Sequence, residues 1–258
     1  MGRLSSEPCG TGASGHFNMH TPRYAIYVVP QRSSPLWRFG TSVIGYDSRT
    51  GATCSGWSPA TTPLEQWREW TEEPRRYGFH ATVMAPFQLR TGFTEAELIE
   101  TVDRFAAVHN PVRLRPLAVT RIGSFIALCQ IGPQDTINRF ASDIVTRFNR
   151  FRAPLSDFDL ERRSKPDLTL RQSENLRRFG YPYVHEDYRF HMTLTGSLPE
   201  PAITQIRDEL DRAYSVFAAE SFVVSTLCVL RQDDRSSGFR VIGEVVLEEE
   251  FTGLGAWR

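Results

Sequence analysis

Apolar positions along the chain alternate in some segments and follow helical spacing in others. The run RYAIYVV (23–29) is rich in β-branched and aromatic residues and stops at a proline, which predicts a strand. Ser34 followed by Pro35 predicts a helix start, and Thr94 with Glu97 has the spacing of a capping box. Two later helices are predicted by apolar stripes, at Leu98, Val102 and Phe105 and at Ile137, Phe140, Ile144 and Phe148.

The second half of the chain repeats the order of elements predicted for the first half. In each half a strand with a histidine is followed by a helix and then by two strands. The predicted segments are strands 112–122 and 125–131, helix 201–216, and strands 221–230 and 239–247. This order predicts an α+β fold made by duplication: two lobes, each with an antiparallel sheet backed by helices, and a groove between them.

Two predicted strands have nearly the same sequence, YGFHATV (77–83) and YRFHMTL (188–194), and their histidines lie 111 positions apart. We expect the strands themselves to cover 77–86 and 188–195. Side chains alternate along a strand, so each histidine should share a face with the threonine two residues later. That face would carry His80 and Thr82 on one strand and His191 and Thr193 on the other, and the opposite face of the first strand would carry Tyr77, Phe79, Ala81 and Val83.

Two imidazoles facing one groove suit acid–base chemistry, because one can accept a proton while the other donates one. The hydroxyls of the two threonines can hold the oxygens of a phosphate in line. A lone histidine on a strand is more often structural, but its recurrence in a matched context favours catalysis. Two histidines without a carboxylate on the same strands make a poor metal-ligand set, so no metal or other cofactor is expected. A cyclic phosphodiester is a natural substrate, since ring opening needs both proton transfers.

Composition and net charge limit the classes of molecule that this protein is expected to bind. The chain has 258 residues, a formal net charge of zero and four scattered cysteines without a C-x-x-C pair. Neutral charge argues against a long nucleic acid or an anionic membrane. The chemistry expected of the paired strands makes a small phosphorylated metabolite the expected partner. No apolar run is long enough for a transmembrane helix, and no G-x-x-x-x-G-K-[ST] motif occurs. We expect residues 1–22 to be a disordered tail without a signal sequence, residues 23–258 to form one bilobal domain, and the protein to be cytoplasmic.

The segment 152–180 is polar and rich in arginine, and it also contains Lys165, the only lysine. A solvated helix starting near Pro166 and Asp167 is the favoured interpretation. The alternative is a basic lid, reaching to about residue 187, that faces the substrate.

Several stretches resemble known families: RYAIYVVP, RRYGFHATVMAPFQL and GYPYVHEDYRFHMTLTG. The paired H-x-T motifs resemble those of the 2H phosphoesterase superfamily, which includes 2′-5′ RNA ligase-like and cyclic phosphodiesterase proteins. The sequence segments that flank these motifs resemble, more narrowly, those of the DUF1045 group, which is associated with phosphonate metabolism. The likeness runs from about Arg23 to Leu247.

This resemblance implies a bilobal fold with both histidines in a central groove and metal-independent opening of a cyclic phosphodiester. His80 and His191 would act as acid and base, in an order that the residues leave open. For this group it implies a sugar cyclic phosphate, such as 5-phosphoribosyl 1,2-cyclic phosphate. Similar sequences often carry lysine in place of Met84, a position that we expect on the same face as His80 and Thr82, so another cation must meet the phosphate here. Arg189 is the first candidate, and Tyr27 is a candidate groove-lining hydroxyl.

Two other functions stay open. The same site could act on RNA ends that carry a 2′,3′-cyclic phosphate or a 2′-5′ linkage. Alternatively, the protein could be a non-catalytic accessory protein that binds a phosphorylated metabolite.

Overall fold

A computed structural model describes residues 21–54, 56–218 and 221–248. Nearly all of the predicted N-terminal tail therefore lies outside the described residues. The fold is mixed α+β with entirely antiparallel strand pairing. The strands are β1 (Arg23–Val28), β2 (Tyr46–Asp47), β3 (Ala52–Thr53), β4 (Ala81–Phe87), β5 (Val112–Leu114), β6 (Leu117–Ile122), β7 (Phe125–Gln130), β8 (His191–Thr193), β9 (Phe222–Val224), β10 (Thr226–Gln232) and β11 (Arg240–Val246). The helices are α1 (Pro35–Ile44), α2 (Leu64–Trp70), α3 (Glu72–Tyr77), α4 (Glu95–Ala106), α5 (Asp135–Phe148), α6 (Asp157–Arg163), α7 (Leu170–Phe179) and α8 (Glu200–Ser215).

Several helix starts follow from local sequence. The Ser34 hydroxyl accepts a hydrogen bond from the backbone N–H of Trp37 and caps α1, as predicted. Thr94 and Glu97 form the predicted capping box of α4. Across the described residues, no helix combines the length and the apolar character needed to cross a membrane.

A single seven-stranded sheet replaces the two separate sheets that the sequence predicted. Its strand order is β11-β10-β1-β4-β8-β7-β6, and two small two-stranded sheets, β2-β3 and β5-β9, lie outside it. The two motif strands, β4 and β8, pair with each other at the centre through Ala81 and Met192. The prediction of two sheets was wrong because this contact joins the halves into one layer.

The strand pairs that follow the motif strands are exchanged between the halves. The hairpin β6-β7 follows β4 in sequence but lies beside β8, whereas β10 and β11 follow β8 but lie beyond β1 on the β4 side. Helix α4 packs on β10 and β11, and α8 packs on β6 and β7. The strand β8 is therefore flanked on both sides by strands from the first half of the chain, and β4 lies between β1 of its own half and β8 of the other. The order of consecutive elements could not predict this arrangement.

One large apolar cluster forms beneath the helix-covered face of the sheet. It contains the fully buried Phe190, Met192 and Leu194 of the second motif segment and Ala81 of the first. A smaller cluster on the other face joins β1 and β10 through Ala25, Tyr27, Val29, Cys228, Leu230 and Phe239. The site described below lies on this second face.

The basic segment forms two helices whose starts differ from the predicted one near Pro166. The hydroxyl of Ser156 caps α6 by accepting from the N–H of Asp159, and the hydroxyl of Thr169 caps α7 within a capping box. A serine or threonine side chain can satisfy an unpaired N–H of the first helical turn, so these two positions define the starts.

Candidate active site

The two motif strands bring both H-x-T pairs to one face of the sheet. Ala81 and Met192, which pair directly, are fully buried on the opposite face. Continuing the antiparallel register by one residue in each direction sets His80 opposite Thr193 and Thr82 opposite His191. His80 and His191 therefore occupy diagonal positions of the strand pair, which are typically roughly 7–8 Å apart in an antiparallel sheet.

Backbone geometry fixes the tautomer of His80. Its Nδ1 lies 2.8 Å from the carbonyl oxygen of Gly78 and its Nε2 lies 3.1 Å from the Thr82 hydroxyl. A carbonyl oxygen only accepts, so Nδ1 carries the proton and the bare Nε2 of the neutral ring accepts from Thr82. The Gly78 backbone has φ 77°, which suits glycine and turns the chain from α3 into β4.

His191 is held in the same manner. Its Nδ1 lies 2.8 Å from the carbonyl oxygen of Arg189, which again is the residue two positions earlier. The Nδ1 proton is therefore donated to the backbone, and Nε2 is the nitrogen that exchanges a proton. The ring centroids of His191 and Phe125 lie 6.1 Å apart.

Burial favours the neutral form of both imidazoles. It lowers the pKa of His80 to about 4, against the hydrogen bond to Gly78, and the nearby His191 acts in the same direction as burial. Burial also lowers the pKa of His191, partly opposed by the hydrogen bond to the Arg189 carbonyl and assisted by the Arg189 charge. The Tyr27 ring stacks on His80 with centroids 3.7 Å apart, which contributes to this burial.

A cavity of about 480 Å³ opens over this face. Four of the predicted site residues line it: His80, Thr82, Thr193 and Tyr27. His191 and Arg189 do not line it, although Phe125, the neighbour of His191, does. Of the four residues in the two H-x-T pairs, three line the cavity, and His191 lies beside its wall.

The cationic side chains that line this cavity do not include Arg189, which the sequence analysis suggested as the phosphate-binding cation. Arg189 is exposed, and its charge acts on His191 and on Cys129 from outside the cavity. The described lining residues instead include four cationic side chains and one acidic side chain, Glu73; the cations are Arg23, Arg162, Arg163 and Lys165. Three of the four come from the end of α6 and the residues after it, so the alternative of a basic segment facing the cavity describes 162–165 better than a fully solvated helix. Arg23 was missed, since an arginine at the start of a strand resembles an edge residue.

Met84 does not share a face with His80 and Thr82, in contrast to the prediction. The pairing of β1 with β4 shifts register between Ile26, which faces Met84, and Tyr27, which faces Thr82. This irregularity interrupts the alternation of side chains. Val83 and Met84 are both buried in the large apolar cluster, and Ala85 faces the cavity instead.

Tyr77 was also predicted on the wrong face. It is the last residue of α3 rather than part of the strand, and it lines the cavity. Its ring lies 6.2 Å from that of His80 and stacks on Phe239 at 5.3 Å. The turn at Gly78 separates it from the alternation of β4.

The DUF1045 family, described as a protein of unknown function, matches residues 82–240. The chain belongs to the DUF1045 family. The match covers Thr82, His191 and Thr193 and the basic segment between the motifs.

Two curated relatives share most of this DUF1045 chain. A protein named ribose 1,5-bisphosphate phosphokinase PhnN from Janthinobacterium sp. (strain Marseille) is 35% identical over 215 residues, which cover 82% of this chain and 48% of that protein. A protein of the same name from Laribacter hongkongensis (strain HLHK9) is 31% identical over 223 residues, covering 85% of this chain and 50% of that protein. The chain thus spans about half the length of these relatives.

Among solved structures, TT0787 of Thermus thermophilus aligns with 88% of this DUF1045 chain and 99% of its own at a TM-score of 0.43 and 12% identity. Within the described part of the chain, no three histidine, cysteine, aspartate or glutamate side chains are grouped so that they could hold a metal ion.

Proposed function

We propose that this protein is a metal-independent cyclic phosphodiesterase that opens a small sugar cyclic phosphate with His80 and His191 as base and acid. The observation that carries the proposal is the pairing of β4 with β8, whose register sets two histidine–threonine pairs diagonally on one face. Each imidazole donates Nδ1–H to the carbonyl two residues earlier, so both rings are oriented by the backbone rather than by packing alone.

We assign the role of base to His80. Its pKa of about 4 keeps Nε2 unprotonated at neutral pH, and that nitrogen reaches the Thr82 hydroxyl, which places it in the cavity. In the proposed step, Nε2 of His80 accepts a proton from water as the water oxygen attacks phosphorus. The ring P–O bond breaks, and Nε2 of His191 donates a proton to the departing sugar oxygen. The product is a phosphomonoester with one new hydroxyl.

The negative charge of the substrate stabilises the protonated form of His191, which the acid role requires. Burial disfavours the imidazolium of His191, but a bound phosphate anion favours it. We therefore infer that binding of the cyclic phosphate raises the pKa of His191. Thr82 and Thr193 would donate hydrogen bonds to the two non-bridging oxygens and hold the phosphorus between the imidazoles.

We also propose that the fold is a duplication related to the 2H phosphoesterases. The six strands β10-β1-β4 and β8-β7-β6 follow the same order outward from the centre. In sequence, β1, α1, β4, α4, β5 and β6 correspond to β7, α5, β8, α8, β9 and β10. The pairing of β5 with β9 joins equivalent strands of the two repeats, as a twofold axis near the centre would require. The two repeats would form one bilobal domain.

The relatives support a phosphorylated sugar as substrate. Both are named for a phosphokinase that acts on ribose 1,5-bisphosphate, and this chain matches about half of each. We assign the kinase activity to the part that this chain does not span, because these 258 residues contain no G-x-x-x-x-G-K-[ST] loop for a nucleotide phosphate. Opening 5-phosphoribosyl 1,2-cyclic phosphate gives a ribose bisphosphate, which would connect the two activities in phosphonate breakdown.

The proposal is tested by steady-state kinetics on a ribose cyclic phosphate with excess EDTA. Wild-type protein should show a bell-shaped dependence of kcat/KM on pH, and His80→Ala should lower kcat/KM by about 10²- to 10⁴-fold. His109→Ala is a matched control, because His109 caps the end of α4 through the Phe105 carbonyl and lies outside the cavity. Turnover that stops with EDTA, or that survives in His80→Ala, would refute the proposal. Preference for RNA ends with steep salt dependence would support the RNA-end alternative instead.

A further inference from the structure

Arg23 has a buried cationic nitrogen that the protein leaves without a partner. The residue is 5% exposed, and its Nε donates to the side-chain oxygen of Gln232 at 2.9 Å, as does Nη2. Its Nη1 is buried and has no hydrogen-bond partner. Leaving a charged donor unsatisfied in a protein interior is costly, so such a group usually has a ligand.

The surroundings of Arg23 make an anion the fitting ligand. Arg23 lines the cavity, and its guanidinium lies 5.5 Å from the centroid of the Phe239 ring. Burial lowers the pKa of Arg23, and the neighbouring Arg235 and Arg162 act in the same direction. No carboxylate forms a salt bridge with Arg23 among the residues that the structure describes. Arg235 and Arg162 both pair with Asp159, at 2.6 and 3.5 Å, whereas the buried guanidinium of Arg23 has a donor directed at no acceptor, which suits an anionic ligand.

Arg163 contributes a second cation to the same region. It is half-buried, and it is held by backbone carbonyls, those of Gly180 and of Pro86 at 2.8 Å. Tyr181 and Tyr77 lie close enough to influence the pKa of Arg163, and both line the cavity. Carbonyl oxygens hold an arginine without neutralising it, so the charge of Arg163 is offset only in part, by the nearby carboxylate of Asp159. The tyrosine hydroxyls add neutral donors beside it.

Arg23 lies at a distance from the two H-x-T pairs, and Tyr77 lies between the two regions, with its ring 6.2 Å from that of His80. Arg23 and Tyr27 share a face of β1, whose pairing with β10 is regular from Arg23 to Tyr27. Four residues of strand span about 13 Å, and Tyr27 is the residue that stacks on His80. Arg23 therefore approaches the cavity from the end remote from His80.

We propose that Arg23 and Arg163, with the hydroxyls of Tyr77 and Tyr181, form a second anion subsite that binds a phosphomonoester on the same substrate whose cyclic phosphate lies at the histidines. The inference rests on the proposed function for the identity of the reacting group. It narrows the substrate to a small sugar with a cyclic phosphate at one end and a terminal phosphomonoester dianion at the other. An RNA end would present a diester there, with a single charge and a continuing chain.

Binding without turnover tests the subsite. The full chain is titrated calorimetrically with ribose 5-phosphate, and with ribose as the uncharged match. Wild-type protein and the double variant His80→Ala/His191→Ala should bind ribose 5-phosphate within about 3-fold of each other, and ribose should bind much more weakly. Arg23→Met should weaken binding of ribose 5-phosphate about 10- to 100-fold, as expected for the loss of a hydrogen bond to a charged group.

Arg152→Met is the matched control. Arg152 is also buried, at 7% exposure, and bonds to backbone carbonyls, but it lies outside this cavity. It should leave the affinity unchanged. If Arg23→Met does not fold, as judged by circular dichroism, Arg163→Met provides the same test with the same expected loss.

Equal binding by wild type and both arginine variants would overturn the subsite, as would the absence of binding to wild type. Loss of binding only in the double histidine variant would place the phosphomonoester at the H-x-T pairs and would also overturn it. The proposed ring opening is measured separately by turnover. A chain that binds ribose 5-phosphate through Arg23 without opening a cyclic phosphate would refute the proposed function alone.

Discussion

Acidification should destabilise this protein through His80 in a way that can be isolated. Burial under the Tyr27 ring lowers the pKa of His80 from an ordinary 6.5 to about 4. One pKa unit corresponds to about 1.4 kcal/mol, so the difference is worth roughly 3 kcal/mol of folding free energy. At pH 7 the protonated form of His80 in the folded protein is a minor species of roughly one molecule in a thousand.

The direction follows from which state binds the proton first. The unfolded chain protonates His80 near pH 6.5, whereas the folded protein does so only near pH 4. The stability that the neutral imidazole contributes is therefore fully present above about pH 6.5 and is lost as the pH falls towards 4. His80→Gln removes this titration, so the free-energy difference between wild type and variant should change by roughly 2–3 kcal/mol between pH 7 and pH 4.5.

Urea unfolding of both proteins at the two pH values measures this difference, because other titrating groups cancel in the comparison. NMR titration of the imidazole Cε1–H signal that disappears in His80→Gln gives the midpoint directly. A midpoint near 6.5 in the folded protein, or a stability difference that does not change with pH, would refute the burial argument. It would also remove the reason for assigning His80 as the base.

Three further results are expected. Thr82→Val should lower kcat/KM about 10- to 100-fold by removing a donor to the phosphate. Thr120→Val on β6, whose hydroxyl bonds to the Ala118 carbonyl and lies outside the cavity, should leave turnover unchanged, and equal effects would contradict the role of Thr82. Gly40→Ala should destabilise the protein by about 1–3 kcal/mol or more in urea unfolding, since the new Cβ would lie 2.2 Å from the Phe79 ring, and an unchanged midpoint would count against this packing. Phosphate should raise the NMR-determined pKa of His191, and a pKa that falls or stays constant would argue against acid catalysis by His191.

Local sequence predicted the elements of this fold better than their arrangement. The strand at 23–29, the caps at Ser34 and Thr94 and the stripe of α5 depend on neighbouring residues, and all appear in the structure. The joining of β4 to β8 depends on a contact between residues 111 positions apart, and the exchange of strand pairs depends on how the halves pack. Neither leaves a signal in local periodicity.

The candidate site shows the same division. Alternation along a strand predicted that His80 and Thr82 share a face, and the hydrogen bond between them agrees with that prediction. The prediction from alternation was wrong at Met84, where a register shift interrupts the alternation. It was also wrong at Tyr77, which a glycine turn separates from the strand. Arg23 could not be identified from sequence, because its role depends on burial and on a missing partner.

The central claim is that two imidazoles on adjacent strands open a cyclic phosphate together. Phosphorus NMR of a ribose cyclic phosphate incubated with the protein and EDTA in isotopically labelled water tests it most directly. We predict that wild-type protein replaces the cyclic signal with that of a phosphomonoester carrying the oxygen label, and that His80→Ala/His191→Ala leaves the ring intact. A ring that stays closed with wild type, or that opens equally fast with the double variant, would contradict the account.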